Sequence, residues 1–501
     1  MKLNYKRTIL VGFAFFLISA FWQAYDAIVP LVLTNHFGLP QTFSGVVMSV
    51  DNILAVFMLP IFGALSDKIM TRIGRRTPFI LVGTIAAVIT FLTLSAIIGI
   101  QVNAIADAGI VNEYNVAYSE YSETVNFLKE QLKDDIITKE AYDLETKAAD
   151  AALTAIIPGL IERATQVTLN NVWPLVCFMI VLLFVLISMA IFRSPAVALM
   201  PDVTVKPLRS KANAIINLMG TAGGIIILVL TKIFSMKKYL YTPFTIIIIP
   251  TCAVMIIGLV VFLLTVKEKK WAAEMEEDTL RFGLEEKVEK TNEGGRSLTK
   301  PEMRSLLLIL ASVALWYIGY NSITSKYSVY STNVLGVDYG LTLIVAQAAA
   351  IVSYIPVGIV ASKVGRRKTI LAGVMMLATA FFIGNFINPG VSNIIMYPIF
   401  ALAGIGWATI NVNSFPMVVE LAKGGEVGKY TGYYYTASMA AQIVAPILSG
   451  ILYDAFGMRA MFFSFGTVFV VFSFITMFFV KHGDAKAEKV DALSALGGAD
   501  D

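Results

Sequence analysis

Charge is what this sequence lacks most for its size. Asp, Glu, Lys and Arg make up 15% of its 501 residues, against 57% hydrophobic residues and a mean hydropathy of +0.73. A soluble domain carries about 25% charged residues, so the deficit excludes a fully water-exposed surface. Cysteine is nearly absent. Cys177 and Cys252 both sit inside apolar runs. They exclude a disulfide framework and say nothing about redox compartment. Histidine is as scarce: His36 and His482 lie outside every span core, which argues against a histidine metal site. His36, just beyond the first apolar run, is read as a plain surface residue. Also missing are a His-Glu-x-x-His motif, a Gly-x-Ser-x-Gly elbow and a phosphate-binding loop. A membrane enzyme would have no visible chemistry, and no cofactor or nucleic-acid partner is expected.

What is present is apolar length. The first half gives runs at 8–34, 42–66, 77–100, 172–200, 212–236 and 241–266. The second gives 304–331, 341–363, 369–388, 393–421, 430–453 and 459–480. Each reaches or nears the roughly 20 residues a helix needs to cross about 30 Å of hydrocarbon. Backbone groups in lipid must pair internally, and these runs are too long for barrel strands. The first run is also too long for a cleavable leader. The expected fold is an all-α membrane protein with twelve transmembrane helices in two six-helix halves. The halves are 1–266 and 304–481, joined by a linker at 267–303 and followed by a disordered tail at 482–501.

The basic residues orient it. Lys68, Arg72, Arg75 and Arg76 follow the second run, Lys206, Arg209 and Lys211 the fourth, and Lys363, Arg366, Arg367 and Lys368 the eighth. The positive-inside rule makes these loops, the linker and both termini cytoplasmic. The expected location is the cell membrane. Residues 101–170 then lie outside, with twelve acidic and five basic residues and helical stretches at Tyr118–Leu132 and Lys139–Ile156. The reading preferred for them is a solvated helical insertion with no transport role; an external lid or partner site is the alternative.

An internal repeat connects the halves. Gly63-Ala-Leu-Ser66-Asp67-Lys68 and Gly74-Arg75-Arg76-Thr-Pro78 follow the second run. Gly358-Ile-Val-Ala361-Ser362-Lys363-Val-Gly365-Arg366-Arg367-Lys368 follows the eighth. This pattern resembles the major facilitator superfamily, whose two halves are parallel repeats. The resemblance implies that Gly63, Asp67, Lys68, Arg72, Gly74, Arg75, Arg76, Asp202, Arg209, Gly365, Arg366 and Arg367 form a cytoplasmic gate motif. In it, Asp67 pairs with an arginine or caps a helix across that face. Glu420 is placed with the same gate.

The resemblance narrows. The insert between Asp67-Lys68 and Gly74-Arg75-Arg76, then Thr77-Pro78-Phe79-Ile80, is similar to the sucrose–proton symporters. These are relatives of the glycoside–pentoside–hexuronide:cation symporters. So are Pro195-Ala-Val197-Ala198-Leu199-Met-Pro-Asp202 and Arg209-Ser-Lys-Ala212-Asn213. The likeness implies a monomeric carrier that imports a sugar, a disaccharide or glycoside, with a coupling cation expected to be a proton. There are departures: plant sucrose carriers have an arginine at the position of Val197, and here Arg193 stands one turn earlier.

Charges inside hydrocarbon cost several kcal/mol unless paired or wetted, which marks Asp26, Asp51 and Arg193 as cation-coupling candidates. A sugar site needs two-way hydrogen-bonding groups and an aromatic platform. The candidates are Trp22, Gln23, Asn52, Tyr320, Asn321, Gln347, Trp407, Asn411 and Gln442, with Asn413 pointing away from Asn411. Packing and interhelical hydrogen bonding are the plain alternatives for each. An exporter of drugs or metabolites and a non-transporting sensor on the same fold stay open.

Overall fold

The computed structural model describes residues 3–205, 208–281, 298–337, 339–389, 393–419, 421 and 427–482. Linker residues 282–297, Glu420 and tail residues 483–501 lie outside that set. The first half holds α1 (Tyr5–Leu31), α2 (Gln41–Lys68), α3 (Thr77–Asp107), α4 (Ile110–Lys133), α5 (Lys139–Asn170), α6 (Trp173–Asp202), α7 (Arg209–Ile233) and α8 (Thr245–Thr265). The linker carries α9 (Glu268–Arg281). The second half holds α10 (Lys300–Thr324), a single turn α11 (Tyr327–Val329), α12 (Tyr339–Val364), α13 (Arg366–Gly384), α14 (Asn393–Val419), α15 (Val427–Phe456) and α16 (Met458–Phe478).

Eleven described helical segments are long and apolar enough to cross a membrane. The 26-residue α12, apolar over Tyr339–Tyr354, is the remaining long helix of the bundle. The predicted runs therefore locate each long apolar helix of the bundle, with shifted ends. The first and seventh runs end in π turns, at Val32–His36 and Tyr330–Leu335. In the seventh, the helix breaks at Ser325–Lys326 before resuming.

The repeat seen in sequence reappears in packing. In the first half α1 packs on α7 and α8, α3 on α6 and α8, and α2 on α6. In the second half the equivalent pairs form: α10 with α15 and α16, α13 with α14 and α16, and α12 with α14. The halves meet along two equivalent seams, α2 with α15 and α7 with α12. Both seams need bare backbone. A Cβ on Gly45 would lie 2.0 Å from the Pro446 carbonyl, and one on Gly340 would lie 2.6 Å from that of Leu228. Small residues let helices approach where lipid supplies no hydrophobic drive.

Both contacts lie toward the start of α2 and of α12, the side that carries the 101–170 insertion. The opposite side carries α9. On the insertion side, Asn35 and Asn333 exchange amide hydrogen bonds at 3.0 and 2.6 Å across the seam. Ser49 Oγ donates to the Ile443 carbonyl at 2.8 Å, and Ser328 Oγ to that of Asp26 at 3.1 Å. These bonds, and those of Gln23 with Tyr339 and Gln347, lie at or above the level of Gln23 on this side.

One reading is corrected here. His36 is fully buried, not a surface residue. Its Nε2 lies 2.7 Å from the Leu240 carbonyl, and its ring stacks on Phe244. The insertion and the α7–α8 loop cover the end of α1, which sequence proximity to a helix end could not show.

Candidate functional site

A cavity of about 600 Å³ sits between the halves. On α1, Trp22, Gln23 and Asp26 reach it, as one helical face allows at spacings of three and four. Arg193 arrives from α6. Asn217, Thr221 and Gly224 form a stripe on α7, and Tyr320, Tyr339, Gln347 and Trp407 close the wall from the second half.

Polar contacts cross it. Gln347 Nε2 donates to Gln23 Oε1 at 3.1 Å, and Gln23 Nε2 donates to the Tyr339 hydroxyl at 3.1 Å. Opposite, the rings of Tyr320 and Trp407 stack with centroids 3.7 Å apart and 6° between planes. The Arg193 guanidinium carbon stands 5.7 Å over the Trp22 ring. Three polar atoms on cavity-lining residues have no protein partner: Trp22 Nε1, Asn217 Nδ2 and Gln347 Oε1. A buried polar atom left unpaired costs about 1–3 kcal/mol. Such atoms at a cavity wall are available to a bound molecule or water.

The charged group is arranged in depth. Asp26 and Arg193 line the cavity. Asp51 lies behind them, bonded to Asn52 Nδ2 at 2.9 Å, and its charge acts on both Asp26 and Arg193. Among the described residues, no ion pair includes Asp26, Asp51 or Arg193.

The structure thus gathers Trp22, Gln23, Asp26, Arg193, Tyr320, Gln347 and Trp407 in one place. It leaves Asn52, Asn321, Asn411 and Gln442 off the cavity lining. Asn321 donates to its own helix at the Tyr317 carbonyl (2.8 Å), and Gln442 to that of Ser438 (3.4 Å). Asn413 does the same toward Thr409 at 2.9 Å, while Asn411 is buried away from the cavity. Sequence reasoning missed Asn217 and Tyr339. An amide within the small, apolar Asn217–Gly224 stretch was the available signal for the first. Tyr339 gave none, since tyrosine at a helix start is ordinary.

The Gly-Arg-Arg motif is built into one half. Arg76, almost fully buried, forms ion pairs with Asp67 and, at 2.7 Å, with Asp202; Arg75 Nη2 also meets Asp202 at 2.7 Å. Burial opposes the Arg76 charge, but Asp202 and Asp67 overcome it and hold its pKa above the ordinary value. These contacts join α2, α3 and α6 rather than the two halves, so the expected pairing of Asp67 does not bridge the bundle here. Arg209 donates to the Thr204 and Pro201 carbonyls at 3.1 and 3.0 Å, capping α6 rather than pairing with Asp202. Lys68 and Arg72 are exposed. In the second half the repeat diverges: Gly365 precedes α13, Arg366 is half-buried, and Arg367 reaches the Met477 and Phe478 carbonyls at the end of α16.

A residue missed entirely holds this motif. Glu268, 3% exposed at the start of α9, accepts from the backbone N–H groups of Arg75, Arg76 and Thr77 at 2.7, 2.9 and 2.8 Å. It also accepts from Thr77 Oγ1 at 2.7 Å. A carboxylate there satisfies the free donors and complements the positive end of α3. Gly74 makes room, since a Cβ on it would meet the Glu268 carboxylate at 2.2 Å.

Comparison with known proteins agrees with this architecture. The family model of the Major Facilitator Superfamily matches residues 151–422 and 338–495, and that of MFS/sugar transport proteins matches 10–106. An MFS-type transporter, ppzB of Metarhizium rileyi (strain RCEF 4871), is 29% identical over 114 residues. That match spans 23% of each chain, so only about a quarter of the relative's length is covered. Among solved structures, a peptide transporter POT superposes with a TM-score of 0.58 at 12% identity, covering 94% of this chain and 93% of that one. The xylose transporter XylE from E. coli, inward open, gives 0.56 at 12% identity, covering 94% and 95%. At such identities the likeness shows the fold.

Proposed function

This chain belongs to the major facilitator superfamily and is a multi-pass membrane transporter of a small molecule, not an enzyme; on that premise we propose that it imports a sugar, a disaccharide or glycoside, coupled to a proton. One observation carries the reading. Both halves line a single cavity that combines a stacked aromatic face, unpaired amides and a carboxylate–guanidinium set. A sugar ring offers a weakly apolar face and many hydroxyls, which the Tyr320–Trp407 stack and the amides of Gln23, Asn217 and Gln347 complement. The match of residues 10–106 to the sugar transport family model supports the same class.

Asp26 is the coupling carboxylate in this reading. It stands at the wall, where a charge in low dielectric is costly and a proton relieves that cost. Arg193 shares the cavity wall with it, and Asp51 stands behind both. The halves rock about the cavity, and the form described is closed on the insertion side. Following the basic-loop asymmetry, the insertion side faces outward and the termini face the cytoplasm. Asp67, Asp202, Arg75 and Arg76 then brace the cytoplasmic end of the first half as a rigid body.

Uptake by purified protein in liposomes, over a sugar panel under imposed pH or sodium gradients, tests this. A disaccharide should accumulate with an inward proton gradient. If no sugar in the panel moves while lipophilic cations are expelled, the exporter reading replaces it.

A further inference from the structure

The helical hairpin of α4 and α5 has no counterpart among the described residues of the second half, where residues 385–392 join α13 to α14. It is seated on the bundle. α5 buries Leu153, Ile157, Leu160 and Ala164. Thr165 Oγ1 donates to the Gly38 carbonyl at 2.7 Å, just past the π turn that ends α1. Gln101 Nε2 donates to the His36 carbonyl at 2.9 Å and to Thr168 at 3.1 Å, tying α3, α1 and α5 together.

Nearer the hairpin's tip, Lys237 of the α7–α8 loop forms an ion pair with Asp150 of α5, with side chains only 15% and 13% exposed. Lys237 also sits 4.5 Å over the Tyr121 ring, and Tyr114 donates to its carbonyl at 2.7 Å. Burial and the Asp150 charge push the Tyr121 phenol well up, so it stays neutral. All of these groups belong to the first half.

The second half meets them at Gly336, directly after its own π turn, which packs on α5. Gly336 has a φ of +69°, and a Cβ there would lie 3.5 Å from both Lys237 Nζ and Thr154 Oγ1. The same point lies 3.7 Å from Asp150 Cγ. Second-half backbone therefore rests on an ion pair carried by the first half, and supplies part of its burial. Two charges attract strongly only while water is kept away.

We propose that the α4–α5 hairpin is an added gate of this carrier. It rides on the first half, closes on Gly336 through Asp150, Thr154 and Lys237, and must part from Gly336 whenever the insertion side opens. The inference rests on alternating access but on no particular substrate, and its test uses none. In a chain carrying Cys177→Ser and Cys252→Ser, a cavity probe is introduced by Ser19→Cys. It is labelled from the insertion side with a membrane-impermeant maleimide.

Lys237→Met should raise the labelling rate roughly tenfold, the effect of about 1.4 kcal/mol on the access equilibrium. The swap of Asp150→Lys with Lys237→Asp should return it toward the parent rate, which a merely misfolded variant would not do. Thr154→Cys with Gly336→Cys should form a disulfide on oxidation and stop labelling at position 19, reversibly on reduction. A labelling rate unmoved by Lys237→Met overturns the proposal. So does a cysteine pair that fails to join, or that joins and leaves access unchanged. A parent chain never labelled from that side removes alternating access itself, and this gate with it.

Discussion

The Asp454 carboxylate, at the end of α15, accepts the backbone N–H of Thr42 at 2.7 Å, at the start of α2 in the other half. It takes the Gln41 N–H at the same distance. The residue before α2 is Pro40, which offers no capping side chain. The second half therefore supplies the acceptor and the negative charge that the first turn of α2 lacks. Beside it, the fully buried Lys326 donates to the Gln41 carbonyl at 3.0 Å. Together they clasp one seam where the halves are closed.

Asp454→Ala should loosen that seam. Losing a capping side chain costs about 0.5–2 kcal/mol, here charged to the closed form alone. Spin labels on the insertion-side ends of α2 and α15 should show a larger long-distance population by electron–electron double resonance. An unchanged distance distribution would mean the clasp does not bias access.

Asp26→Asn should abolish accumulation driven by a proton gradient while leaving substrate exchange across the membrane in place. The neutral amide keeps the size and hydrogen bonding of the protonated acid but cannot release a proton. Proteoliposome uptake compared with counterflow reads the two separately. Asp51→Asn, one layer behind the wall, should shift the pH dependence without removing coupling.

Trp407→Ala should weaken sugar binding by about 1–1.5 kcal/mol, roughly tenfold, through loss of the stack with Tyr320. Trp407→Phe should restore much of it. Calorimetric titration of the detergent-solubilised protein gives the dissociation constants.

Glu268→Ala should lower the stability of the first half by about 2–4 kcal/mol, because three backbone donors and a hydroxyl lose a buried carboxylate. Glu268→Gln should fall between the two. Thermal unfolding followed by near-ultraviolet circular dichroism measures the order. Equal midpoints for all three chains would place the motif's support elsewhere.

Much of the fold was legible because lipid imposes a length and a polarity on every spanning helix. The runs, the Gly-Arg-Arg repeat and the rarity of Asp26, Asp51 and Arg193 inside apolar sequence all follow from that. The cavity was only half legible. Trp22, Gln23 and Gln347 could be singled out, but Asn52, Asn321 and Gln442 looked equally suitable. A helix facing lipid on one side and protein on the other is apolar all round, so periodicity does not say which amide is turned inward.

The sequence by itself determined a membrane bundle of two repeated halves with scarce intramembrane charge. Apolar transfer energy acts residue by residue along the chain, and it leaves its record there. Tertiary structure alone decided that Glu268 caps α3, that Asp454 caps α2 from the opposite half, and that His36 lies buried beneath an insertion. Those are contacts between groups hundreds of residues apart or hidden by a neighbouring loop, and a hydrogen bond is specified by position in space, on which the order of residues is silent.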